Sequence, residues 1–148
     1  MRLAYLCADA GVPVFGHKGC SIHVQEVLRA LRRQGVHIEV FATHTEGDPP
    51  PGLESLRIHR LPTPPRGERA VREQAALAAN RDLRAALERE GPFDLVYERY
   101  SLWSFAGMEY ARATGVPGLL EVNAPLIEEQ AQYRGLSTAL APSRWPRA

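Results

Sequence analysis

The first 35 residues constrain the fold of this chain more than any other stretch. Residues 3–8 form a near-continuous apolar run, which is typical of a parallel strand that is covered on both faces. A loop over residues 9–20 follows, and then apolar side chains recur at the spacing of one helix face: Val24, Val27, Leu28 and Leu31. Ser21 is predicted to cap this helix and Gly35 to end it. Such a unit aims the free N–H groups of a helix at the carboxyl end of a strand, where anions bind in open α/β sheets.

The rest of the chain repeats strand and helix signals. Alternating or short apolar runs predict strands over residues 37–42, 56–61, 94–97 and 118–122. Composition and periodicity predict helices over residues 68–89, 102–114 and 126–133. Ser101 and Gly115 are predicted to begin and end the second of these helices. This order predicts a doubly wound parallel α/β sheet in one domain over residues 1–136, followed by an irregular tail over residues 137–148.

Composition narrows the class of protein. The chain has 148 residues, of which 45% are hydrophobic and 24% charged, as is ordinary for a globular domain with one core. Its net charge of +1 gives no reason to expect a nucleic-acid partner, and no apolar run reaches the roughly 18 residues of a membrane span. The N-terminus carries no signal-peptide pattern, and the two cysteines do not suggest a disulfide framework. We therefore expect a cytoplasmic protein.

The loop before the first helix is the strongest functional candidate in the sequence. Its glycines, Gly11, Gly16 and Gly19, do not follow the G-x-G-x-x-G spacing of a dinucleotide fingerprint. The second strand ends without the acidic residue that would hold a ribose, which disfavours a nicotinamide oxidoreductase. Lys18 precedes Gly19, so the loop is not a P-loop either. A long, mobile loop with these residues suits a phosphate or sugar that approaches the backbone closely; a plain connection between strand and helix is the competing interpretation.

His23 and the two cysteines are weaker candidates. His23 falls in the first turn of the helix, where the helix dipole disfavours a protonated ring, so we expect a neutral His that contacts a ligand or merely faces solvent. Cys20 lies at the same helix start, where the pKa of a thiol tends to fall, but no catalytic partner is recognisable around it. Cys7 is expected in the core. No spacing of His, Cys or carboxylate residues predicts a metal site, and no cofactor is expected.

Polar side chains mark the ends of the fourth and fifth strands. Glu98, Arg99 and Tyr100 follow the fourth strand, whereas Glu121 and Asn123 end the fifth. Because the carboxyl ends of parallel strands meet at one edge of a sheet, we expect these groups to face the same crevice as the first loop. Such groups suit recognition of a polyhydroxyl substrate. The competing interpretation is an internal pair of Glu121 and Arg99 that ties neighbouring strands together.

Four stretches of the sequence together resemble one known family. They are residues 16–24 (GHKGCSIHV), 28–40 (LRALRRQGVHIEV), 94–100 (DLVYERY) and 120–125 (LEVNAP). Over residues 1–136 the chain is similar to the N-terminal domain of glycosyltransferase family 4, whose members have the GT-B fold of two Rossmann-like domains. The resemblance implies a Rossmann-like domain from a retaining enzyme that transfers a sugar from a nucleotide-diphosphate donor to an acceptor.

The resemblance also implies roles for particular residues. The domain would hold the acceptor, and its loop, with Gly16, Lys18 and Gly19, would approach the donor diphosphate, Gly19 most closely. The implied cleft residues are His23, Glu98, Arg99, Tyr100 and Asn123. Cys20 stands where the family often has a second glycine, and Asn123 stands where many members have a His. An amide is neither an acid nor a base at neutral pH, so no catalytic residue carries over.

The family's second domain, which grips the nucleotide sugar, is not recognisable in this sequence. We therefore expect a fragment, a truncated product or one half of a split enzyme, which is inactive as a transferase by itself. Its partners would be a nucleotide-sugar donor, bound with the second domain, and an acceptor. The alternative is a non-catalytic binding or interaction module that keeps the sheet. An open sheet without its partner domain would favour self-association.

Overall fold

Parallel strands with helices on both faces make up the part of the chain that the structure describes. The structure is a computed structural model, and it describes residues 1–123. Its elements are β1 (Arg2–Cys7), α1 (Gly19–Arg33), β2 (His37–Ala42), β3 (Arg57–Arg60), α2 (Arg69–Glu90), β4 (Leu95–Arg99), α3 (Ala106–Thr114) and β5 (Gly118–Glu121). The helix predicted over residues 126–133 and the tail predicted over residues 137–148 lie outside the described residues.

The strands form one sheet in the order β3-β2-β1-β4-β5, and every neighbouring pair is parallel. The chain builds outward from β1 to β3 and then crosses back to add β4 and β5 on the other side. This topology confirms the predicted doubly wound α/β sheet. The crossover leaves a crevice at the carboxyl ends of β1 and β4, which is where ligands bind in open α/β sheets.

The two faces of the sheet bury different helices because side chains alternate along each strand. On the first face, Tyr5 of β1 belongs to the same buried cluster as Val24 of α1. On the second face, Leu6 of β1 clusters with Leu83 of α2 and Tyr110 of α3. We call these the α1 face and the α2/α3 face.

The helix ends test the predicted capping residues. Ser21 is not the cap of α1: the cap position is Lys18, and Ser21 lies buried inside the first turn. The N–H of Ile22 donates to the carbonyl of Lys18 at 3.0 Å, so the first turn already closes around Ser21. Gly35 and Gly115 have positive φ angles of 78° and 74° just where α1 and α3 end, as predicted.

The start of α3 depends on a contact with another helix. The helix begins at Ala106, four residues later than predicted, so Ser101 is not its cap. The Oδ1 atom of Asn80, in α2, accepts hydrogen bonds from the N–H groups of Phe105 at 2.8 Å and Ala106 at 3.0 Å. The Nδ2 atom of Asn80 also donates to the carbonyl of Trp103 at 2.8 Å. The capping oxygen therefore comes from 25 residues earlier in the chain.

Strand β4 is longer than predicted, and this changes where its polar residues point. Glu98 pairs with Leu120 and Arg99 with Glu121 across the β4–β5 register, so both residues lie within the strand rather than after it. Because side chains alternate, Arg99 shares the α1 face with Tyr97, whereas Glu98 turns toward the α2/α3 face.

Candidate functional site

The loop between β1 and α1 is packed onto the domain. The N–H of Val14 donates to the carbonyl of His44 at 3.0 Å. The buried side chain of Gln25, in α1, donates to the carbonyls of Val14 at 2.9 Å and Gly16 at 3.0 Å. The middle of the loop, residues 12–16, is therefore buried against the domain, whereas residues 10, 11 and 17–19 are exposed.

Two glycines of this loop have different surroundings. A Cβ added at Gly16 would lie 2.9 Å from Cγ of Pro13 and 3.2 Å from Oε2 of Glu46, so Gly16 allows the loop to pack on itself. A Cβ added at Gly19 would meet nothing within 4 Å. Gly19 therefore borders open space at the start of α1, where a ligand has room to approach the backbone.

The start of α1 has the electrostatic character of an anion site. Lys18, at the cap position, is exposed and makes no side-chain hydrogen bond to the helix, and the first turn contains no acidic residue. The Oγ atom of Ser21, in the same turn, is buried and has no hydrogen-bond partner among residues 1–123. The positive end of the helix dipole is thus neither capped by a side chain nor neutralised by an acidic residue in its first turn.

A carboxylate at the end of β5 gathers side chains from three elements on the α1 face. Four groups surround Glu121: the Nε2 atom of His23 at 3.1 Å, the hydroxyl of Tyr97 at 2.8 Å, the Nη1 atom of Arg99 at 3.1 Å and the Nδ2 atom of Asn123 at 3.0 Å. We call these five residues the Glu121 cluster. The structure thus brings together three predicted cleft residues, His23, Arg99 and Asn123. It also contains the predicted internal pair of Glu121 and Arg99.

Within this cluster, the pKa values of Glu121 and Tyr97 depend on each other because the two side chains share a hydrogen bond. Burial raises the pKa of Glu121, but hydrogen bonds from Asn123, Tyr97 and His23 outweigh it, so the pKa lies below its usual range. Burial and the neighbouring carboxylate raise the pKa of Tyr97 to about 12. At neutral pH the cluster therefore holds an ionised carboxylate and a neutral phenol that donates to it.

The other two predicted cleft residues lie away from the Glu121 cluster. Glu98 is buried under α3, where its Oε2 atom accepts a hydrogen bond from the hydroxyl of Ser104 at 3.0 Å. Burial raises the pKa of Glu98 to about 7. The ring of Tyr100 is buried in a cluster with Trp103. Because both side chains are buried, neither is exposed at the edge of the sheet as the sequence had predicted.

The same edge carries a cavity that the sequence analysis did not predict. It lies on the α2/α3 face, has a volume of about 640 Å³ and is lined by the segments that follow β1, β3 and β4. Three arginines from the beginning of α2 and the segment before it also line it: Arg66, Arg69 and Arg72. The sequence carries one signal for this cavity: three arginines lie close to the predicted start of a helix. The positive end of the helix dipole disfavours basic residues at that position.

A group at the opposite end of the sheet could in principle hold a metal. Ligand atoms of Glu39, His59 and Glu90 lie within 4.8 Å of one another, although no spacing in the sequence predicts a metal site. Arginines already pair with both carboxylates: Arg2 contacts Glu39, and the Nη2 atom of Arg57 lies 3.3 Å from Oε2 of Glu90. We therefore interpret this group as an ion network.

Among residues 1–123, none of the three helices combines the length and the apolar character of a membrane-spanning segment. The fold and the site together define a class: a Rossmann-like α/β domain whose carboxyl edge combines an open helix start, a polar cluster and a basic cavity. Such an edge suits ligands that carry phosphate and hydroxyl groups.

Comparison with known proteins identifies the family. The profile described as "Glycosyl transferase 4-like domain" matches residues 18–147. The chain is 32% identical over 106 residues to a D-inositol 3-phosphate glycosyltransferase of Nocardiopsis dassonvillei and 31% identical over 108 residues to one of Stackebrandtia nassauensis. The crystal structure of MurG from Acinetobacter baumannii shares the fold, with a TM-score of 0.51 and 18% identity, over 80% of this chain and 34% of that one.

This chain belongs to the glycosyltransferase 4-like family. The two sequence alignments cover 67% of the chain, and they cover 25% and 24% of the two relatives. The chain thus spans about a quarter of the length of the curated relatives it matches. The resemblance to an N-terminal domain of a GT-B glycosyltransferase is confirmed by these matches, by the parallel sheet and by the likeness to MurG.

Proposed function

We propose that this chain is the acceptor-side domain of a retaining glycosyltransferase, which moves a sugar from a nucleotide-diphosphate donor to an acceptor. The observation that carries the proposal is the family match, which begins at the start of α1 and extends through β5. Apart from Gly16, the functional residues proposed below fall inside that match. They lie at or near the carboxyl edge of the sheet, where α/β enzymes bind their ligands.

The donor diphosphate is assigned to the start of α1. Gly19 leaves open space beside the backbone, and Lys18 places a positive charge next to it. Gly16 contributes indirectly, because its close packing against Pro13 fixes the loop that presents these two residues. Free N–H groups and the helix dipole then face an anion of two negative phosphates.

The Glu121 cluster is assigned to the same cleft. His23 and Asn123 are its more exposed members, so they are the groups available to a sugar or acceptor hydroxyl. Arg99 and Glu121 are less exposed and hold the other two in place through ion pairing and hydrogen bonding. Glu98 and Tyr100 are buried away from this cluster, so we assign them no direct contact with the ligand.

A complete active site requires groups outside this chain. The matched relatives are about four times as long as their aligned segment, so a second domain is available to them as a donor-binding partner. We propose that the chain by itself does not transfer sugar and binds nucleotide sugars at most weakly. A cytoplasmic location, where such donors are made, remains part of the proposal and is testable by cell fractionation.

Two measurements test this function. Calorimetric titration of the chain with UDP-glucose and GDP-mannose is expected to give dissociation constants weaker than about 100 µM. Joined to the remaining domain of the Nocardiopsis relative, the chain is expected to transfer sugar with retention of the anomeric configuration, as read by NMR of the product. A micromolar affinity of the chain alone would contradict the need for a second domain, and inversion would contradict the retaining mechanism.

Substitutions at Gly19 provide the matched control. Gly19→Ala is expected to stabilise α1 by about 0.5 kcal/mol, since glycine is a poor helix residue. Gly19→Val adds bulk where nothing lies within 4 Å, so the domain folds normally. Transfer by the joined protein is expected to fall with side-chain size, at least tenfold for valine. Unchanged sugar transfer by the Gly19→Val variant would show that the donor diphosphate does not bind beside Gly19.

A second candidate function is an interaction module that associates with itself. The specific observation concerns β5, which among the described strands pairs only with β4 and is therefore an edge strand. Leu119, within β5, and Val122, directly after it, are both exposed. An edge strand with apolar side chains is a template for further pairing. Light scattering of the chain at rising concentration distinguishes this module from the transferase domain. A chain that stays monomeric would exclude the self-associating module. A dimer that still binds no nucleotide sugar when joined to the second domain would favour it.

A further inference from the structure

The two cysteines of the chain lie at the two ends of the loop between β1 and α1. Cys7 is the last residue of β1, and Cys20 is the second residue of α1. Both are free thiols in this structure, and the sequence contains no other cysteine. Cys7 is fully buried, whereas Cys20 is half-buried. The site described above assigns no role to either thiol.

The geometry of β1 and α1 places the two thiols at the same level of the α1 face. Tyr5 and Val24 belong to one buried cluster, in which β1 and α1 pack together. Cys7 follows Tyr5 by two residues on the same side of the strand, about 7 Å toward its carboxyl end. Cys20 precedes Val24 by four residues on the same side of the helix, about 6 Å toward its start. Because α1 connects the parallel strands β1 and β2, it runs back along the sheet, so both displacements have the same direction.

Two further observations agree with this placement. Cys7 belongs to the buried cluster of the α1 face, and Cys20 packs against the same cluster. Burial raises the pKa of Cys7 to about 12, and the sulfur of Cys20 is among the charges that contribute to this rise. The two sulfur atoms therefore lie within each other's electrostatic field and face the same part of the interior.

The pair of thiols adjoins both parts of the proposed cleft. Cys20 directly follows Gly19, which is assigned to the donor diphosphate. On the other side, the register of Leu6 with Glu98 places Cys7 beside Arg99, on the face that carries the Glu121 cluster. A covalent bond between the two sulfur atoms would therefore fix the start of α1 between the two groups of ligand-binding residues.

We propose that Cys7 and Cys20 are a redox-sensitive pair that closes to a disulfide bond and thereby locks the start of α1 onto β1. The bond restricts α1 to one position relative to β1, so the backbone at Gly19 can no longer adjust to a bound diphosphate. This effect on sugar transfer rests on the proposed function, whereas formation of the bond does not. Oxidation is expected to lower transfer, and reduction is expected to restore it.

A peroxide is the class of oxidant that balances the reaction. The deprotonated sulfur of Cys20, which is the more accessible, attacks the O–O bond of hydrogen peroxide and becomes a sulfenic acid, while hydroxide leaves and is protonated to water. The sulfur of Cys7 then attacks the sulfur of Cys20. The S–S bond forms, the S–O bond breaks, and the departing hydroxide takes the proton of Cys7 as a second water. A dithiol reductant reverses the bond by thiol–disulfide exchange.

Peptide mapping tests the pair directly, because trypsin cuts after Lys18, between the two cysteines. The 148-residue chain is treated with hydrogen peroxide in dilute solution, its remaining thiols are alkylated, and it is digested without reductant. We expect one linked product of residues 3–18 and 19–29, which dithiothreitol separates into two peptides. The oxidised chain should remain a monomer on a non-reducing gel. It should also melt about 5 °C higher than the reduced chain, since the bond closes a loop over residues 7–20.

Single substitutions identify the reacting thiols. Cys20→Ser and Cys7→Ala each leave one thiol, so neither variant is expected to give the linked product or the rise in melting temperature. Circular dichroism verifies that both are folded, and Cys20→Ser changes the more exposed position of the two. In the joined two-domain protein, peroxide is expected to lower sugar transfer at least tenfold and dithiothreitol to restore it. The joined Cys20→Ser variant should keep its own rate under peroxide, which excludes oxidation elsewhere as the cause.

The proposal is overturned if peroxide leaves both thiols reduced, oxidises Cys20 alone or produces only dimers linked through Cys20. Its outcome is separate from that of the proposed function. The linked product is measured on the chain alone, so it can form even where the joined protein transfers no sugar. Conversely, normal transfer by a joined protein that carries the disulfide would keep the glycosyltransferase and reject the lock on the start of α1.

Discussion

Two carboxylates at opposite ends of the sheet are surrounded by similar groups. Glu39, on β2, lies near the amino-terminal end of the sheet, and Glu121 closes β5 at the carboxyl end. Each has an arginine and a histidine in close contact: Arg2 and His59 at Glu39, and Arg99 and His23 at Glu121. A second arginine and a second histidine, Arg57 and His37, lie further from Glu39, each at 3.9 Å. Burial raises the pKa of both carboxyls, but hydrogen bonds from their neighbours outweigh it and hold both below the usual range.

The two carboxylates differ in how far solvent reaches them. The side chain of Glu39 is 1% exposed and that of His59 11%, and the guanidinium of Arg2 stacks over the ring of Phe93. By contrast, the side chain of Glu121 is 16% exposed and that of His23 49%. The two ends of the sheet therefore carry similar charges, but the carboxylate and the histidine are less accessible to solvent at the amino-terminal end, which we call the closed end, than at the carboxyl end, which we call the open end. We infer that the first network is structural and that the second is available to a ligand.

The largest expected effect is on stability, at the closed end. Glu39→Gln is expected to lower the free energy of unfolding by about 3 kcal/mol, because it leaves Arg2 and His59 beside a partly buried position without their counter-charge. Urea unfolding followed by circular dichroism measures it. The difference from the unsubstituted protein is expected at neutral pH and to shrink as pH falls through the lowered pKa of Glu39, where its carboxyl becomes protonated in both states.

Glu88→Gln is the control for that measurement. Glu88 pairs with Arg84 at 2.7 Å on the exposed surface of α2, and such pairs contribute less than about 1 kcal/mol. Equal effects of the two substitutions would show that the Glu39 network is no more than another surface pair, and the contrast between the two ends of the sheet would fail.

A third carboxylate, Glu98, sharpens the comparison because no arginine, lysine or histidine within residues 1–123 pairs with it. Glu98 accepts a hydrogen bond from Ser104, its Oε1 atom has no partner among residues 1–123, and burial raises its pKa to about 7. An unfolded Glu loses its proton near pH 4.5, so the folded state binds the extra proton between the two pKa values. Its contribution to stability therefore falls as pH rises from about 4.5 to 7 and is constant above, the opposite sign from Glu39.

Glu98→Gln is expected to remove this dependence. Relative to the unsubstituted protein, the variant should gain about 2 kcal/mol in unfolding free energy on going from pH 5 to pH 8, since it carries no proton to lose. Urea titrations at the two pH values measure the gain. Parallel behaviour of the two proteins would mean that Glu98 ionises in the fold as readily as a solvent-exposed glutamate.

Much of the fold was predictable from local pattern, and its exceptions have a common cause. Strand β2 has the bounds that its alternation predicts, and Gly35 ends α1 where a left-handed residue is needed. The start of α3 was not predictable, because its capping oxygen belongs to Asn80 in another helix. Likewise, β4 continues through Arg99 because β5 pairs with it there. Both exceptions require knowledge of which elements are neighbours.

The candidate site was predictable to the same extent. That polar residues at strand ends meet at one edge follows from parallel topology, and the Glu121 cluster has this form. Which face each residue occupies depends on where the strand stops, and two extra residues in β4 place Glu98 within the strand, on the α2/α3 face. The cavity could not be predicted, because its lining comes from several separate segments and its arginines read as ordinary helix composition.

Of the substitutions at Glu39 and Glu121, the one at the open end of the sheet is expected to have the smaller effect on stability and the larger effect on function. Glu121→Gln should lower the unfolding free energy by only about 1 kcal/mol, because an amide oxygen in the position of Oε1 still accepts from Tyr97 and solvent screens the charge lost beside Arg99. In the joined two-domain protein the same change should lower kcat/KM at least tenfold, since it removes the carboxylate charge beside His23 and the oxygen that accepts from Asn123. Glu39→Gln, assayed where it remains folded, should leave kcat/KM unchanged. If Glu121→Gln instead costs as much stability as Glu39→Gln and leaves transfer intact, then both carboxylates are structural, and the ligand must be held by the start of α1 and the arginine-lined cavity.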